Sequence, residues 1–290
     1  MTRNSLLFLA PIFLIFTINM IAPILEAISF PFFTRGLLVG GLLALTCALL
    51  GNFVILRREA IIGHTISNIA LLGITLGLFL NVDLNLATII AVLVGVMVIL
   101  FLQTTETFSH DSILELTAQI SMAASVVMIS QLSGYRTDLM QFLFGSILAI
   151  SKTDVWLTAT LSVVVLATLW LIRKPLLQVV FNTELAIAGR VNTNRINAIF
   201  MLALSLTVAI GIKIVGVILL ASFLVIPANT AKVLAGNFKQ MVVLSGFFGV
   251  IGTMIGLFLS YFWDVPSGPM IILTFGVILF FIMAAKRIFR

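Results

Sequence analysis

The side chains best suited to chemistry in this 290-residue chain lie close together about two turns into one apolar stretch. His64 is followed four residues later by Asn68, so on a helix the two share a face, with Ser67 beside them. An imidazole can bind a divalent metal or carry a proton, whereas an amide is a poor transition-metal ligand. One imidazole is not a metal site, and a histidine that simply hydrogen-bonds a neighbouring helix is the alternative.

A second polar set lies near residue 120. Gln119 and Ser121 stand in another apolar stretch, with Ser125 one turn beyond Ser121, and we expect the three to form a polar face. His110 and Asp111 precede this stretch, where we expect water to solvate them. Polar side chains are costly inside apolar segments, so both sets are candidates for function.

Several motifs that accompany catalysis are missing from the sequence. It contains no G-x-x-x-x-G-K-[ST] phosphate loop, no G-x-S-x-G nucleophile elbow and no H-E-x-x-H metal motif. We therefore expect neither an enzyme nor a cofactor bound to this chain. The single cysteine, Cys47, also excludes an intrachain disulfide.

Composition identifies the solvent around these residues. Hydrophobic residues make up 61% of the chain and charged ones 9%, against about 25% charged in soluble domains. So few charges cannot cover a water-facing surface, which excludes a soluble enzyme and a disordered protein. The net charge of +6 comes from scattered residues rather than a basic patch, so nucleic acid is not an expected partner.

A membrane-spanning helix needs about 20 mostly apolar residues. Ten segments meet that requirement: 5–25, 36–56, 61–80, 86–102, 113–133, 155–173, 196–212, 215–235, 240–262 and 269–285. The apolar segment 139–150 is too short to span and indicates a re-entrant or surface helix. We therefore predict an all-α integral membrane protein, a polytopic helical bundle of about nine or ten spans embedded in membrane lipid.

Lys and Arg in the short loops indicate the orientation. With ten spans and a cytoplasmic N-terminus, twelve of these residues fall inside and four outside, so both termini are predicted to be cytoplasmic. The segment 5–25 resembles the apolar part of a signal peptide. Because no convincing small-residue cleavage site follows it, we expect a retained first span.

One cytoplasmic loop, 173–195, is longer than the others. Within it, the sequence FNTELAIAG has Asn182 or Thr183 as a helix N-cap, Glu184 in the first turn and Gly189 as the C-terminal stop. The pattern predicts a two-turn helix outside the membrane with apolar side chains. Such a helix either docks a partner protein or rests on its own bundle.

Five stretches together resemble one family. They are NFVILRREAIIGHTISNIALLG (52–73), LMQFLFGSILAIS (139–151), FNTELAIAGR (181–190), KIVGVILLASFLVIPANTAKVLA (213–235) and DVPSGPMIIL (264–273). In order and spacing they are similar to the permease subunits of bacterial zinc- and manganese-uptake ABC transporters, and especially to the zinc permeases of the ZnuB type. The resemblance covers 31–290 as one transmembrane domain, and 1–30 looks like an extension with one extra span.

The resemblance implies a fold like that of type II ABC importers in a bacterial inner membrane. It implies a permease homodimer around a central pathway, two cytoplasmic ATP-binding subunits that bind the ATP, and an extracytoplasmic metal-binding protein. It also implies that 181–190 is the coupling helix that fits a cleft on the ATPase. Glu184, Ala186 and Gly189 match the recurrent positions of that helix, with Leu185 among them.

One departure from the family concerns the pathway. The family typically reads G-D-x-x-x-H where this chain has Gly63, His64 and Asn68, and a histidine of the family corresponds to Gln119. The resemblance thus places His64 as the remaining metal ligand, with Ser67, Asn68 and Gln119 along the pathway. Amides in place of imidazole should weaken Zn²⁺ or Mn²⁺ coordination in transit, although conduction tolerates weak binding.

Two other functions are compatible with the sequence. An ATP-independent carrier would use His64 as its proton site, with Glu115 as a weak carboxylate candidate. A divergent ABC permease for a non-metal solute would use His64 and Asn68 as hydrogen-bonding groups. An importer of divalent metal, zinc above manganese, is the function that the resemblance favours.

Overall fold

Long helices account for nearly all of the chain that the computed structural model describes, which comprises residues 29–104, 108–131, 144–145 and 150–288. In chain order they are Pro31–Leu56 (α1), Ile62–Leu80 (α2), Leu84–Leu102 (α3), His110–Gln131 (α4), Lys152–Phe181 (α5), Thr183–Ala188 (α6), Thr193–Val215 (α7), Val217–Leu234 (α8), Phe238–Trp263 (α9) and Ser267–Ile288 (α10). Every one of these except α6 is long and apolar enough to cross a bilayer.

This architecture confirms the predicted all-α, multi-pass bundle, because nine of the ten predicted spans coincide with these long helices. The predicted span 5–25 lies outside the described residues, as does most of the short segment 139–150. A bilayer offers the backbone no water to hydrogen-bond, so helices that satisfy their own amides are the expected spanning structure.

Helix α5 departs furthest from the predicted bounds. We expected a span at 155–173, but the helix runs for 30 residues and continues through Pro175 to Phe181. Proline removes one backbone donor and usually ends or kinks a helix. Here Leu176 and Val179 beyond it are buried, so packing of that last part offsets the lost hydrogen bond. At 1.5 Å per residue α5 is about 45 Å long, which exceeds the roughly 30 Å hydrocarbon core.

Helix α1 lies at the centre of the bundle. It packs against α5, α8 and α9, while α2 packs against α3, α4 and α8. The side chains of Phe33, Leu43 and Leu50 on α1 are fully buried. Phe53 lies between Phe200 of α7 and Phe238 of α9, with ring centroids 6.1 and 5.4 Å apart. A single apolar core therefore joins helices from both halves of the chain.

Two close contacts hold α1 in this position. A Cβ atom added at Gly51 would lie 1.8 Å from the backbone oxygen of Leu224 on α8, so the two backbones touch. The side chain of Leu224 in turn lies against Gly63 of α2, where a Cβ would be 2.8 Å from its Cδ1 atom. At the residue after Gly51, Asn52 donates from Nδ2 to the Ser245 hydroxyl of α9 at 2.6 Å. Backbone-to-backbone approach at small residues is how helices associate tightly in lipid.

We predict that Gly51→Ala destabilises the protein and that Gly41→Ala, in the same helix, does not. The added methyl at Gly51 meets backbone that cannot rotate away, and such overpacking costs about 1–3 kcal/mol. At Gly41 no heavy atom lies within 4 Å of the added Cβ, so the higher helix propensity of alanine should dominate. Thermal unfolding in detergent, followed by tryptophan fluorescence, should show a lower midpoint for Gly51→Ala only. Equal midpoints would contradict the backbone contact.

Candidate functional site

His64 and Asn68 form a hydrogen-bonded pair at the start of α2. His64 lies in the first turn and is exposed, nearer the helix end than the sequence suggested, whereas Asn68 is buried with 2% of its surface exposed. The Asn68 amide nitrogen lies 3.0 Å from His64 Nε2. In this arrangement the amide N–H donates, Nε2 accepts, and the ring proton of the neutral imidazole sits on Nδ1.

The same pair can present the imidazole to a metal. A half-turn of the Asn68 amide places its oxygen at Nε2, which then carries the proton and leaves Nδ1 free as a ligand. Metal-binding histidines commonly donate their second ring N–H to such a partner, which fixes the tautomer and the ring orientation. Asn68 is thus suited to orient His64 rather than to bind the ion itself.

A second pair lies on α4, the helix packed beside α2. Gln119 donates from Nε2 to the Glu115 carboxylate at 2.8 Å, and both side chains are exposed. The two helices are joined by the Thr65 hydroxyl, which donates to the Leu114 carbonyl at 3.1 Å. These residues are the chain neighbours of His64 and Glu115, so both polar pairs flank one helix contact. A carboxylate and an imidazole facing lipid would be costly, so water or protein should cover this side of α2 and α4.

The structure separates other residues that the sequence grouped together. Ser121 and Ser125 are buried, whereas Gln119 is exposed, so the three do not form one polar face. The physical reason is the helical period, because residues two positions apart lie on nearly opposite sides of a helix. Ser67 is fully buried, and its hydroxyl has no hydrogen-bond partner in the described part of the chain. His110 and Asp111 are exposed, as expected.

Within the described residues, acidic, histidine and cysteine side chains do not gather into a metal site. Among residues 29–104, 108–131, 144–145 and 150–288, no three His, Cys, Asp or Glu side chains come close enough to hold an ion. His64 with its amide partner can offer one imidazole ligand.

The predicted short helix is confirmed as α6, while its place outside the membrane stays a prediction. Of the two predicted N-cap candidates, Asn182 is the residue used, and its side chain accepts from the Leu185 amide at 3.0 Å. The helix ends after Ala188, but the left-handed residue is Arg190 (φ 59°) rather than Gly189. The Arg190 amide donates to Ile187 and the Val191 amide to Ala186, the two bonds of a Schellman stop.

Apolar side chains of α6 face outward. Ala186 is buried against the bundle, while Leu185 and Ile187 are 70% and 59% exposed, and Glu184 is exposed beside them. Phe181, the last residue of α5, is 69% exposed as well. A groove of about 420 Å³ between α6 and the end of α5 separates these residues. Because α5 is longer than the hydrocarbon core is thick, we expect this apolar surface to lie outside the lipid, where it would be suited to a protein partner.

Sequence reasoning missed the role of Arg57, which entered only as a positive charge. Its side chain is 8% exposed, donates to the Asn197 side-chain oxygen of α7 and stacks on Phe200, with 5.1 Å from Cζ to the ring centroid. Burial lowers the pKa of Arg57, and the Glu59 carboxylate 3.8 Å away opposes that shift. Arg57 thereby ties the end of α1 to α7, the helix that follows α6. In the sequence, only the nearby Glu59 indicated that Arg57 could have a structural role.

Comparison with known proteins identifies a family that the chain matches. Residues 29–286 match the family described as the ABC 3 transport family. The chain is 34% identical over 251 residues to the high-affinity zinc uptake system membrane protein ZnuB of Haemophilus influenzae, covering 87% of this chain and 96% of that protein. It is 29% identical to the manganese transport system membrane protein MntC of Halalkalibacterium halodurans, covering 86% and 85%.

A solved structure shows the same fold. PsaBC from Streptococcus pneumoniae, determined in complex with a Fab, superimposes with a TM-score of 0.81 at 28% sequence identity. The match covers 90% of this chain and 95% of the other. The similarity therefore extends over nearly all of the chain.

We predict that Arg57→Gln lowers the thermal unfolding midpoint in detergent and that Arg58→Gln does not. The first change leaves Asn197 and Glu59 without their cation in a largely buried place, at a cost of about 1–3 kcal/mol. The second removes the same charge from an exposed side chain. Two equal midpoints, at matched expression, would contradict a tie between α1 and α7.

Proposed function

The chain belongs to the ABC 3 transport family, and we propose that it is the permease of an ATP-driven importer that carries zinc through a homodimer in a bacterial inner membrane. Its membership identifies it as a metal-transporting ABC permease of the zinc and manganese group, a multi-pass membrane subunit. Zinc as the cargo, the homodimer and the inward orientation of both termini belong to the proposal.

The observation that carries the proposal is α6. A capped helix of six residues follows a 30-residue helix that is longer than the hydrocarbon core is thick, and it leaves Leu185 and Ile187 exposed. An exposed apolar pair on a rigid helix is suited to fit a cleft on another protein. In an ABC permease the partner that needs such a contact is the ATP-binding subunit. Glu184, Leu185, Ala186 and Gly189 form or support this contact.

Cargo passes, in this proposal, along the polar side of α2 and α4. His64 is the metal ligand, Asn68 orients its ring, and the Gln119–Glu115 pair offers oxygen atoms further along. A second copy facing this side would cover these polar groups and add its own imidazole. An ion bound by one or two imidazoles and by water is held weakly enough to move on, as conduction requires.

Zinc is favoured over manganese by the chemistry of the ligand. Imidazole suits Zn²⁺, whereas carboxylate, carbonyl and water ligands suit Mn²⁺. The relative at 34% identity is named for zinc uptake and the one at 29% for manganese transport, which agrees with this preference. The importer also needs two ATP-binding subunits, which hold the ATP, and an extracytoplasmic metal-binding protein that delivers the ion.

The two alternative functions, an ATP-independent carrier and a permease for a non-metal solute, differ in how well they agree with the family membership. Membership in an ABC family favours ATP-driven uptake over an ATP-independent carrier. A non-metal solute remains the outcome to expect if no metal is carried, because His64 and Asn68 can also serve as hydrogen-bonding groups.

We predict that His64→Ala reduces zinc uptake at least tenfold, whereas His110→Ala leaves it unchanged. These are the only two histidines of the chain, and both are exposed. Cells lacking their own high-affinity zinc uptake would express the permease with its neighbouring ATP-binding and metal-binding subunits. Accumulation of Zn²⁺, Mn²⁺ and Fe²⁺ would be measured by mass spectrometry. Asn68→Ala should give an intermediate loss, because it frees the ring without removing it.

The pattern of results separates the parts of the proposal. Uptake of zinc that is indifferent to His64→Ala would remove His64 from the pathway. Manganese uptake in place of zinc would overturn the cargo. No metal uptake by an intact complex would overturn metal import itself.

We also predict that Leu185→Asp abolishes co-purification of the ATP-binding subunit. The side chain is 70% exposed, so the change should not disturb folding, but it puts a charge in the apolar contact. Leu234→Asp is the matched control, because Leu234 is half exposed at the end of α8 and lies outside α6. Equal retention of the ATP-binding subunit by both variants would show that α6 is not the docking helix.

A further inference from the structure

A groove between α1, α5 and α9 is not used by the proposed transport function. It has a volume of about 600 Å³ and an almost entirely apolar wall. The wall consists of Leu49 and Phe53 from α1, Leu166, Leu169 and Trp170 from α5, and Val242 and Val243 from α9. Trp170 and Val243 are 62% and 64% exposed. On helices of membrane-spanning length, such exposed apolar residues face lipid.

Three cations line this groove, and the apolar lining continues past them to Leu177 and Phe238. Arg173 and Lys174 lie on α5, and Lys239 lies in the first turn of α9. All three side chains are exposed. The ion pairs in the described part of the chain are Arg57–Glu59 and Lys213–Asp154, so these three cations have no acidic partner there. Arg173 lies over the Trp170 ring, 4.8 Å from Cζ to the centroid.

The depth of the three cations fits a membrane surface. Lys152 is the first residue of α5, and Arg173 lies 21 residues later in the same helix. The two residues are therefore about 32 Å apart along the helix axis. That distance is about one hydrocarbon thickness, and a tryptophan beside an arginine is typical of the lipid headgroup level. From Arg173 the apolar wall continues to Leu166, about 10 Å further into the membrane at 1.5 Å per residue.

We propose that this groove binds an anionic phospholipid of the cytoplasmic leaflet, with its phosphate at Arg173, Lys174 and Lys239 and one acyl chain against Trp170 and Leu166. The charge decides between lipids, since three unpaired cations attract an anionic headgroup and not a zwitterionic one. The apolar wall decides against free phosphate, which would leave it empty. Guanidinium and ammonium donors at one place match phosphate oxygens.

The position of the groove gives the lipid a possible effect on transport. On α5, the groove lies just before the segment that leads to α6. On α1, it lies just before Arg57. A lipid there would brace α5, which leads to the proposed docking helix α6, against α1. The inference takes from the proposed function only the orientation of the bundle, and its test is a binding measurement that does not depend on transport.

The test uses the full-length chain with Trp156 and Trp263 replaced by Phe, so that Trp170 is the one remaining tryptophan of the three. It is reconstituted in vesicles that contain brominated phosphatidylglycerol or brominated phosphatidylcholine, whose bromine atoms quench tryptophan fluorescence on contact. We expect Trp170 to prefer phosphatidylglycerol at least about fivefold, the factor that one cation at an anionic surface supplies.

Variants assign the preference to the groove. The triple change Arg173→Gln, Lys174→Gln and Lys239→Gln should bring the ratio of the two lipids close to one, and Lys239→Gln alone should give an intermediate ratio. The control neutralises Arg195, Lys232 and Arg287, which are exposed cations outside the groove at the same end of the bundle, and it should keep the preference.

Four results would overturn the proposal. The parent protein could show no preference, or the control variant could lose it as fully as the groove variant does. Inorganic phosphate in millimolar excess could abolish it, which would make the site a free-anion site. Loss of the preference when the ATP-binding subunits are added would assign the groove to a protein contact.

Discussion

The contact between Gly51 and the backbone of Leu224 is the constraint on which the rest of the bundle depends. It allows α1 and α8 to touch without side chains between them, and the Leu224 side chain then reaches Gly63 of α2. Gly63 directly precedes His64, so the same leucine that seats the central helix also sets the position of the candidate ligand. The Asn52–Ser245 hydrogen bond joins α1 to α9 at the next residue along the chain. Because lipid provides no hydrophobic force between helices, such close contacts and interhelical hydrogen bonds must hold the bundle together.

Few charges are needed in such a bundle, and those present act at the helix ends. Lys213 and Asp154 pair at 3.4 Å at one end of α5 and α7, and Arg57 joins Glu59, Asn197 and Phe200 at the other end of α7. Both groups link helices that are far apart in sequence. The end that holds Arg57 also carries α6, and α6 contacts α7, which in turn contacts α1 and α2. This chain of contacts is a physical route by which ATPase closure would reach the ligand-bearing turn.

Local patterns predicted the helices because length and hydropathy are properties of each segment alone. The caps of α6 were equally local, since Asn182 and the helix stop are defined within nine residues. The predictions failed where tertiary contacts decide. Packing of Leu176 and Val179 carries α5 past Pro175, and Arg57 is buried because Phe200, 143 residues later, lies beneath it. The grouping of Gln119 with Ser121 failed for a different reason, because the helical period puts them on opposite sides. Which polar residues face the pathway depends further on how a second copy covers α2 and α4, and a single sequence carries no signal for that.

The incomplete ligand set at His64 is consistent with transport because a permease must release what it binds. A closed site with four protein ligands binds zinc by about 10–16 kcal/mol, and release from such depth would be too slow for uptake. In the proposed pathway, one imidazole per chain, oriented by a buried amide, would retain selectivity through the ligand type while keeping the ion partly hydrated. Asn68 contributes because it can accept or donate at Nε2, so His64 keeps a satisfied hydrogen bond both with and without an ion on Nδ1. The resemblance places aspartate and histidine where this chain has His64 and Asn68, and an amide in place of an imidazole should lower the affinity for the ion and favour its movement.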